Sequence, residues 1–265
     1  GLNAHLPASL ESGNSQIVSI SSRSESKAAE TARKYHIDRW YGSYEEQLAD
    51  PDIDAIINVL PNSMHCEWTI KAVEAGKHVL CEKPLATSTK DCQRMIDAAN
   101  RNNVVLVEAF THRWNPHLRT ARQLVADGTI GKVTTIDAAL CFTAEPDNNV
   151  RYSTELAGGA LWDVGCYAVY AARFVLAAEP IRARGVGYDS GDWGVDTAEL
   201  ISYRGKLPAS LQPAGTDEEI IRSLLSSLVD RRIMILEGEA LGYHREPEFL
   251  DRQHRLLSTR LNEML

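Results

Sequence analysis

Two short stretches of this sequence contain ionisable residues whose types and spacing suit proton transfer. In the first, Glu82 and Lys83 follow the apolar run 79–81 and precede Pro84. An apolar run that ends in charge is typical of a buried parallel strand, and such a strand delivers its last residues to the ligand edge of an open sheet. Pro84 also restricts Lys83 to an extended backbone, which fixes the direction in which the ammonium group leaves the sheet.

The second stretch pairs a carboxylate with a phenol. Asp163 and Tyr167 are four residues apart within 159–176, whose apolar spacing predicts a helix. Residues at this spacing lie on one helix face, so the two side chains are expected to project together. Such a pair can take part in proton transfer when a further group takes up the proton, and Lys83 is the expected third group.

The elements that must position these groups alternate along the first half of the chain. Strands are expected at 16–21, 54–59 and 104–108, and another runs out into the charged end of 78–84. Between them, helix starts are indicated by Ser24, Ser88 and the capping box Ser43-x-x-Glu46. This alternation predicts an α/β fold with a parallel, doubly wound sheet of the Rossmann type. We therefore assign residues 1–113 to a dinucleotide-binding domain.

The glycine-rich phosphate loop expected of such a domain is not visible. The motif G-x-G-x-x-G lets the backbone approach a pyrophosphate, and Gly1 is at best its last glycine. We expect an incomplete sheet that lacks its first strand and most of this loop. After strand 16–21, Ser22 and Arg23 occupy the position where an acidic residue would bind a ribose 2′-hydroxyl. Arginine suits a 2′-phosphate instead, so NADP is the expected cofactor.

The second half, residues 114–265, is expected to form an α+β domain with a mostly antiparallel sheet. A helix is expected at 116–127 and strands at 132–142, 182–188 and 195–203. Further on we expect a helix at 217–229, a strand at 231–238 and a terminal helix from Phe249. Such a sheet can carry substrate on one face and a second subunit on the other, so a homo-oligomer such as a dimer is expected.

Composition narrows the class of partner. The chain has 265 residues, 44% of them hydrophobic, which is enough for one large or two smaller domains. A formal net charge of −8 argues against a nucleic-acid partner. No segment approaches the roughly 20 apolar residues of a membrane span. The five cysteines are scattered and odd in number, which favours reduced thiols in a cytoplasmic protein over disulfides or a metal cluster.

Several motifs resemble those of one enzyme family. The runs MHCEWTIKA at 64–72, AGKHVLCEKP at 75–84 and GGALWDVGCY at 158–167 resemble the glucose-fructose oxidoreductase, inositol dehydrogenase and rhizopine catabolism (Gfo/Idh/MocA) family. The resemblance extends from about 15 to about 203. It implies a nicotinamide-dependent oxidoreductase that moves a hydride between NADP and a hydroxyl of a sugar or cyclic diol. Many relatives have His at the position of Tyr167, and Tyr is typical of the branch that includes NADP-dependent xylose dehydrogenase and dimeric dihydrodiol dehydrogenase.

The resemblance also implies roles for individual residues. Cofactor contacts are expected from Ser22, Arg23, Pro61, Asn62, His65, Glu82, Lys83 and Arg113, and substrate contacts from Arg151 and Trp162. The catalytic residues are then Lys83, Asp163 and Tyr167. A free tyrosine titrates near about 10 and a free lysine near about 10.4, so either needs its neighbours to act as a base. Two assignments of the general base are open: Tyr167 as acid/base beside a cationic Lys83, or Lys83 as the base itself. A different class, a non-catalytic binding or regulatory protein on the same fold, is the alternative that the absent glycine loop supports.

Overall fold

The computed structural model describes residues 2–133, 136–140, 142, 144–188 and 193–205. These residues form seven helices longer than one turn. They are α1 (Leu2–Ser12), α2 (Glu25–Tyr35), α3 (Tyr44–Ala49), α4 (His65–Glu74), α5 (Thr89–Arg101), α6 (Pro116–Ala126) and α7 (Cys166–Leu176). Their strands are β1 (Ser19–Ser21), β2 (Arg39–Tyr41), β3 (Ala55–Asn58), β4 (His78–Glu82), β5 (Leu106–Ala109), β6 (Pro180–Tyr188) and β7 (Ala198–Gly205). No described helix is long and apolar enough to cross a membrane.

The chain divides into two compact units. The first comprises Gly1–Arg113, Phe142–Cys166 and Asp189–Ala198, and the second comprises Trp114–Cys141, Tyr167–Tyr188 and Glu199–Leu265. The domain boundary after residue 113 stays a prediction. The first unit nevertheless contains two segments that lie far beyond this boundary in the sequence.

The strands of the first unit pair in parallel, as the alternation of strands and helices predicts. β1 pairs with β2, while β3, β4 and β5 form a second sheet in that order. In the register of the second sheet, Asn58 lies beside Cys81 and Glu82 lies beside Ala109. The carboxyl ends of these strands therefore share one edge. Among the described strands, β1 is an edge strand of the first sheet and β3 is an edge strand of the second.

Helices α4 and α5 cover the sheet of β3, β4 and β5 with a tightly packed core. Val73, Val79, Cys81 and Met95 are buried there together with small alanines of both helices. Small side chains let these helices approach the sheet closely, and their burial accounts for much of the stability of this region. A smaller core formed by Leu6, Ala32 and Ile37 joins α1 to α2.

The helix starts confirm the capping signals of the sequence. The hydroxyl oxygens of Ser24, Ser43 and Ser88 accept hydrogen bonds from backbone N–H groups three residues on, which satisfies amides that the first helical turn leaves open. These caps depend only on adjacent residues, so the sequence is sufficient to find them.

One predicted strand is wrong for the residues that the structure describes. Residues 132, 133, 136–140 and 142 are not in a strand. Their β-branched composition favours a sheet surface, but β propensity acts through neighbouring strands, and no described strand pairs with this run. The strands predicted at 182–188 and 195–203 are present as β6 and β7, which pair with each other. The helix predicted at 217–229, the strand at 231–238 and the terminal helix from Phe249 lie outside the described residues.

Candidate active site

The centre of the candidate site is an ion pair between Lys83 and Asp163, which the structure brings together across 80 residues of sequence. Lys83 directly follows β4, and its peptide bond to Pro84 is cis. Its Nζ lies 3.0 Å from Asp163 Oδ1 and also donates to the backbone oxygen of Asp163. The side chains are only 13% and 18% exposed. Their mutual attraction is therefore screened less than that of a surface pair.

A second cation contacts the same carboxylate. Arg151 Nε lies 2.5 Å from Asp163 Oδ2, while the guanidinium packs 5.3 Å from the ring centre of Phe142. Arg151 belongs to a short 3-10 turn, Val150–Tyr152, and its amide donates to the Asn149 side chain that caps the turn. Asp163 thus bridges two cations, and this cluster of three side chains carries one net positive charge.

Two glycines allow the chain to fold this closely. A Cβ on Gly158 would lie 2.6 Å from the carbonyl carbon of Arg151 and 2.7 Å from the carbonyl oxygen of Val150. Gly159 has a positive φ of 110°, and a Cβ there would collide with the carboxylate of Asp196. The Gly159 amide instead donates to the Arg151 carbonyl at 2.8 Å. Only glycine fits both positions, which explains why two of them stand together upstream of Asp163.

Asp196 caps the start of the helical segment that carries Asp163. The backbone oxygen of Asp196 accepts from Ala160 N, and its Oδ2 accepts from Leu161 N, both at 2.7 Å. A π-helical turn, Leu161–Gly165, follows and continues into α7. The predicted helix is therefore present, with an irregular first turn of the kind often found at functional sites.

Tyr167, the predicted partner of Asp163, is the second residue of α7 and belongs to the second compact unit. Asp163 and Lys83 belong to the first. The joint action of the three residues stays a prediction. Trp162 lies in the π-helical turn next to Asp163 and is half-buried.

Glu82, the last residue of β4, is tied down by a residue that the sequence analysis missed. His5 Nε2, from α1, lies 2.9 Å from Glu82 Oε1, and the Lys83 amide donates to Oε2 at 3.2 Å. The hydrogen bond from His5 is the main cause that lowers the pKa of the Glu82 carboxyl, and the Lys83 amide adds to it. Glu82 is therefore an ionised, oriented group. No local pattern in the sequence points to this role of His5, because its contact with Glu82 spans 77 residues.

Residues of the turn after β3, and His65 after it, contact other parts of the first unit through hydrogen-bonding groups. Asn62 Nδ2 donates to the Ala157 carbonyl at 2.8 Å, which holds the loop that leads to Asp163. His65 begins α4, but the residue is only 1% exposed and both ring nitrogens lie 2.8 Å from backbone carbonyl oxygens. The ring nitrogens are therefore engaged by the protein itself, and the cofactor contact that the resemblance implies for His65 stays a prediction.

Three further predicted contact residues lie after the carboxyl ends of strands. Ser22 and Arg23 follow β1, where the Ser22 amide donates to the Tyr41 carbonyl and the Arg23 side chain is exposed. Arg113 is exposed in the 3-10 turn Thr111–Trp114 after β5. Each of these residues lies at an edge where ligands collect in open α/β sheets.

Two family models match this sequence. A model described as an oxidoreductase family with an NAD-binding Rossmann fold, GFO_IDH_MocA, matches residues 2–110, and the GFO/IDH/MocA C-terminal domain matches residues 118–206. The chain belongs to the Gfo/Idh/MocA oxidoreductase family. This membership confirms the resemblance inferred from the motifs and the fold class. Within the Gfo/Idh/MocA framework, Lys83 lies in the first matched region, and Arg151 and Asp163 lie in the second.

Individual Gfo/Idh/MocA relatives extend the comparison. D-xylose 1-dehydrogenase (NADP(+)) 2 of Haloferax volcanii is 39% identical over 199 residues, which cover 74% of this chain and 60% of that protein. Trans-1,2-dihydrobenzene-1,2-diol dehydrogenase of Xenopus tropicalis is 37% identical over 202 residues, with coverages of 74% and 60%. The crystal structure of aldose-aldose oxidoreductase from Caulobacter crescentus, complexed with glycerol, superposes with a TM-score of 0.70 at 28% identity and covers 80% of this chain and 69% of that one. The chain spans 60% of the length of these two curated relatives.

Proposed function

We propose that this protein is an NADP-dependent oxidoreductase that acts on a hydroxyl group of a sugar or cyclic diol. The observation that carries the proposal is the shielded pair of Lys83 and Asp163, held at the carboxyl end of β4 in a chain of the Gfo/Idh/MocA family. Relatives named for D-xylose and for a dihydrodiol support a hydroxyl substrate. No described contact favours the non-catalytic alternative.

The contacts of Lys83 favour one division of labour between the catalytic residues. Its Nζ donates to both the carboxylate and the backbone oxygen of Asp163. A nitrogen that donates in these contacts is suited to hold the substrate oxygen, so we assign proton transfer to Tyr167. Asp163 then orients Lys83, and Arg151, which shares the same carboxylate, contacts the substrate together with Trp162.

The residues at the strand ends fit a dinucleotide with a 2′-phosphate. The exposed guanidinium of Arg23 offers a planar, permanently charged donor for such a phosphate. Glu82, fixed by His5, and the turn of Pro61 and Asn62 would hold the nicotinamide end. When bound, the cofactor supplies the hydride acceptor for the carbinol carbon, while the protein residues position the substrate and move its hydroxyl proton.

We also propose that the protein is cytoplasmic and forms a homo-oligomer. Cys66, Cys81 and Cys92 are free thiols, and we retain the prediction of a cytoplasmic protein. The pair of β6 and β7 belongs to the sheet for which the sequence predicts a subunit partner, so we retain the prediction of a homo-oligomer.

The test uses the full-length protein, NADP and a panel of sugars and cyclic diols. Tyr167→Phe should lower kcat by about 10² to 10⁴, the factor associated with an acid/base group, and leave NADPH affinity nearly unchanged. Lys83→Met should lower both kcat and the affinity for NADPH. Tyr170→Phe, three residues further along α7, is the matched control and should behave like the unmodified protein. Unchanged turnover of Tyr167→Phe on the best substrate would contradict the assignment, and failure to bind NADPH at all would favour the non-catalytic alternative.

A further inference from the structure

The buried ring of His65 connects two turns that lie at the ligand edge of the sheet. Its Nε2 lies 2.8 Å from the carbonyl oxygen of Leu60, two residues after β3 ends. Its Nδ1 lies 2.8 Å from the carbonyl oxygen of Pro84, directly after Lys83. The ring therefore spans from the end of one strand to the turn that carries the candidate catalytic lysine.

The backbone of His65 is held as well, through the side chain of Asn58. Asn58 Nδ2 donates to the His65 carbonyl at 3.3 Å and to Thr69 Oγ1 at 3.1 Å, while Asn58 Oδ1 accepts from the Leu60 amide. Asn58, His65 and Thr69 are all buried. A neutral imidazole has one N–H and a doubly protonated ring has two, so at least one carbonyl contact is a hydrogen bond in either state. The Asn58 side chain thus links the backbone of His65 to that of Leu60.

We propose that His65 is a positioning residue for Lys83. By holding the Pro84 carbonyl, the ring fixes the turn from which the Lys83 side chain reaches Asp163. The second support of this turn is the Leu85 amide, which donates to Glu108 Oε1 at 2.8 Å. A lysine whose turn is held at both Pro84 and Leu85 keeps its ammonium group within a narrow range of positions, which is what an aligned reaction requires.

The structural test measures backbone hydrogen exchange in 83–87 and needs no substrate. His65→Gln keeps a hydrogen-bonding side chain, but its single amide nitrogen cannot lie against both carbonyl oxygens as the two ring nitrogens do, and His65→Leu donates to neither. Exchange in 83–87 should quicken by about fivefold to tenfold in His65→Gln, in keeping with the loss of one hydrogen bond, and further in His65→Leu. Exchange in 95–101 of α5 should change less. The matched control is Thr69→Val, one turn further along α4, which removes a buried hydrogen bond without touching Pro84.

The kinetic test rests on the proposed function. His65→Gln should lower kcat by about tenfold and weaken NADPH binding less than Lys83→Met does, because Lys83 keeps its charge and is only displaced. Thr69→Val should keep its kcat. If the unmodified protein oxidises no sugar or diol, the proposed function fails while the exchange data still decide the role of His65. If His65→Gln and His65→Leu exchange in 83–87 no faster than Thr69→Val, the positioning role is overturned.

Discussion

Replacing Gly158 by alanine tests how the charged cluster is assembled. The new Cβ would lie 2.6 Å from the Arg151 carbonyl carbon and 2.7 Å from the Val150 carbonyl oxygen, whereas ordinary contact begins at 3.4 Å. Both obstacles are backbone atoms, so no side chain can rotate away. Gly158 is not among the glycines with positive φ, and the substitution therefore adds a steric clash without strain in its own backbone.

The expected size of the effect follows from this geometry. The loop must retreat from the 3-10 turn by about 1 Å to relieve the overlap, and overpacking of this kind costs about 1 to 3 kcal/mol of unfolding free energy. The same movement pulls Arg151 away from Asp163. A displacement of about 1 Å in a reacting site lowers kcat/KM by up to roughly a hundredfold, so we expect a loss between about tenfold and a hundredfold.

Urea unfolding and steady-state kinetics on the best substrate measure the two effects in parallel. Gly76→Ala is the control, because Gly76 has a φ of 77° and a methyl group added there would meet no atom within 4 Å beyond its chain neighbours. It should lose about 1 to 2 kcal/mol through backbone strain and keep its kcat/KM. Full activity in Gly158→Ala, or an equal loss of activity in Gly76→Ala, would refute the reasoning.

Three other perturbations have defined outcomes. Arg23→Asp should weaken NADPH by about tenfold to a hundredfold and spare NADH, since a charged hydrogen bond to phosphate is lost; equal titration curves for NADPH and NADH in the unmodified protein would contradict this. Asp163→Asn leaves Lys83 and Arg151 facing each other and should reduce the free energy of unfolding by about 1 to 3 kcal/mol in urea; unchanged stability would argue against the cluster. Burial raises the pKa of the Cys81 thiol from 9.0 to about 12, so the unfolded chain loses this proton first and stability should fall between pH 9 and 12, by up to about 1.4 kcal/mol per pH unit. Cys81→Ala should show a shallower fall, and equal slopes would contradict the assignment.

Local signals in the sequence were sufficient to predict helix starts, the parallel sheet and part of the candidate site. Ser24, Ser43 and Ser88 cap helices because their partners are three residues away. Lys83 could be placed at the ligand edge because a charge at the end of an apolar strand has few other positions. The parallel sheet followed from the alternation of strands and helices, which is a property of composition and order.

The features that the sequence did not reveal depend on contacts over long distances in the chain. The contact of His5 with Glu82 spans 77 residues and that of Asp196 with Leu161 spans 35, and neither has a local pattern. His65 starts a helix, where a polar residue ordinarily faces solvent or a ligand, but the carbonyls of two neighbouring turns draw its ring inward. The run 132–142 has strand-like composition, and composition cannot supply the neighbouring strand that pairing requires.

The most direct test of the central claim is to follow a labelled hydrogen. The full-length protein is incubated with NADP and with D-xylose or a cyclic diol that carries deuterium on the carbinol carbon, and the reduced cofactor is examined by mass spectrometry and NMR. Hydride transfer predicts one deuterium on the nicotinamide ring in the unmodified protein and in Tyr170→Phe, with formation slowed by about 10² or more in Tyr167→Phe. Substrate oxidation without deuterium in the cofactor, or equal rates in Tyr167→Phe, would contradict the account.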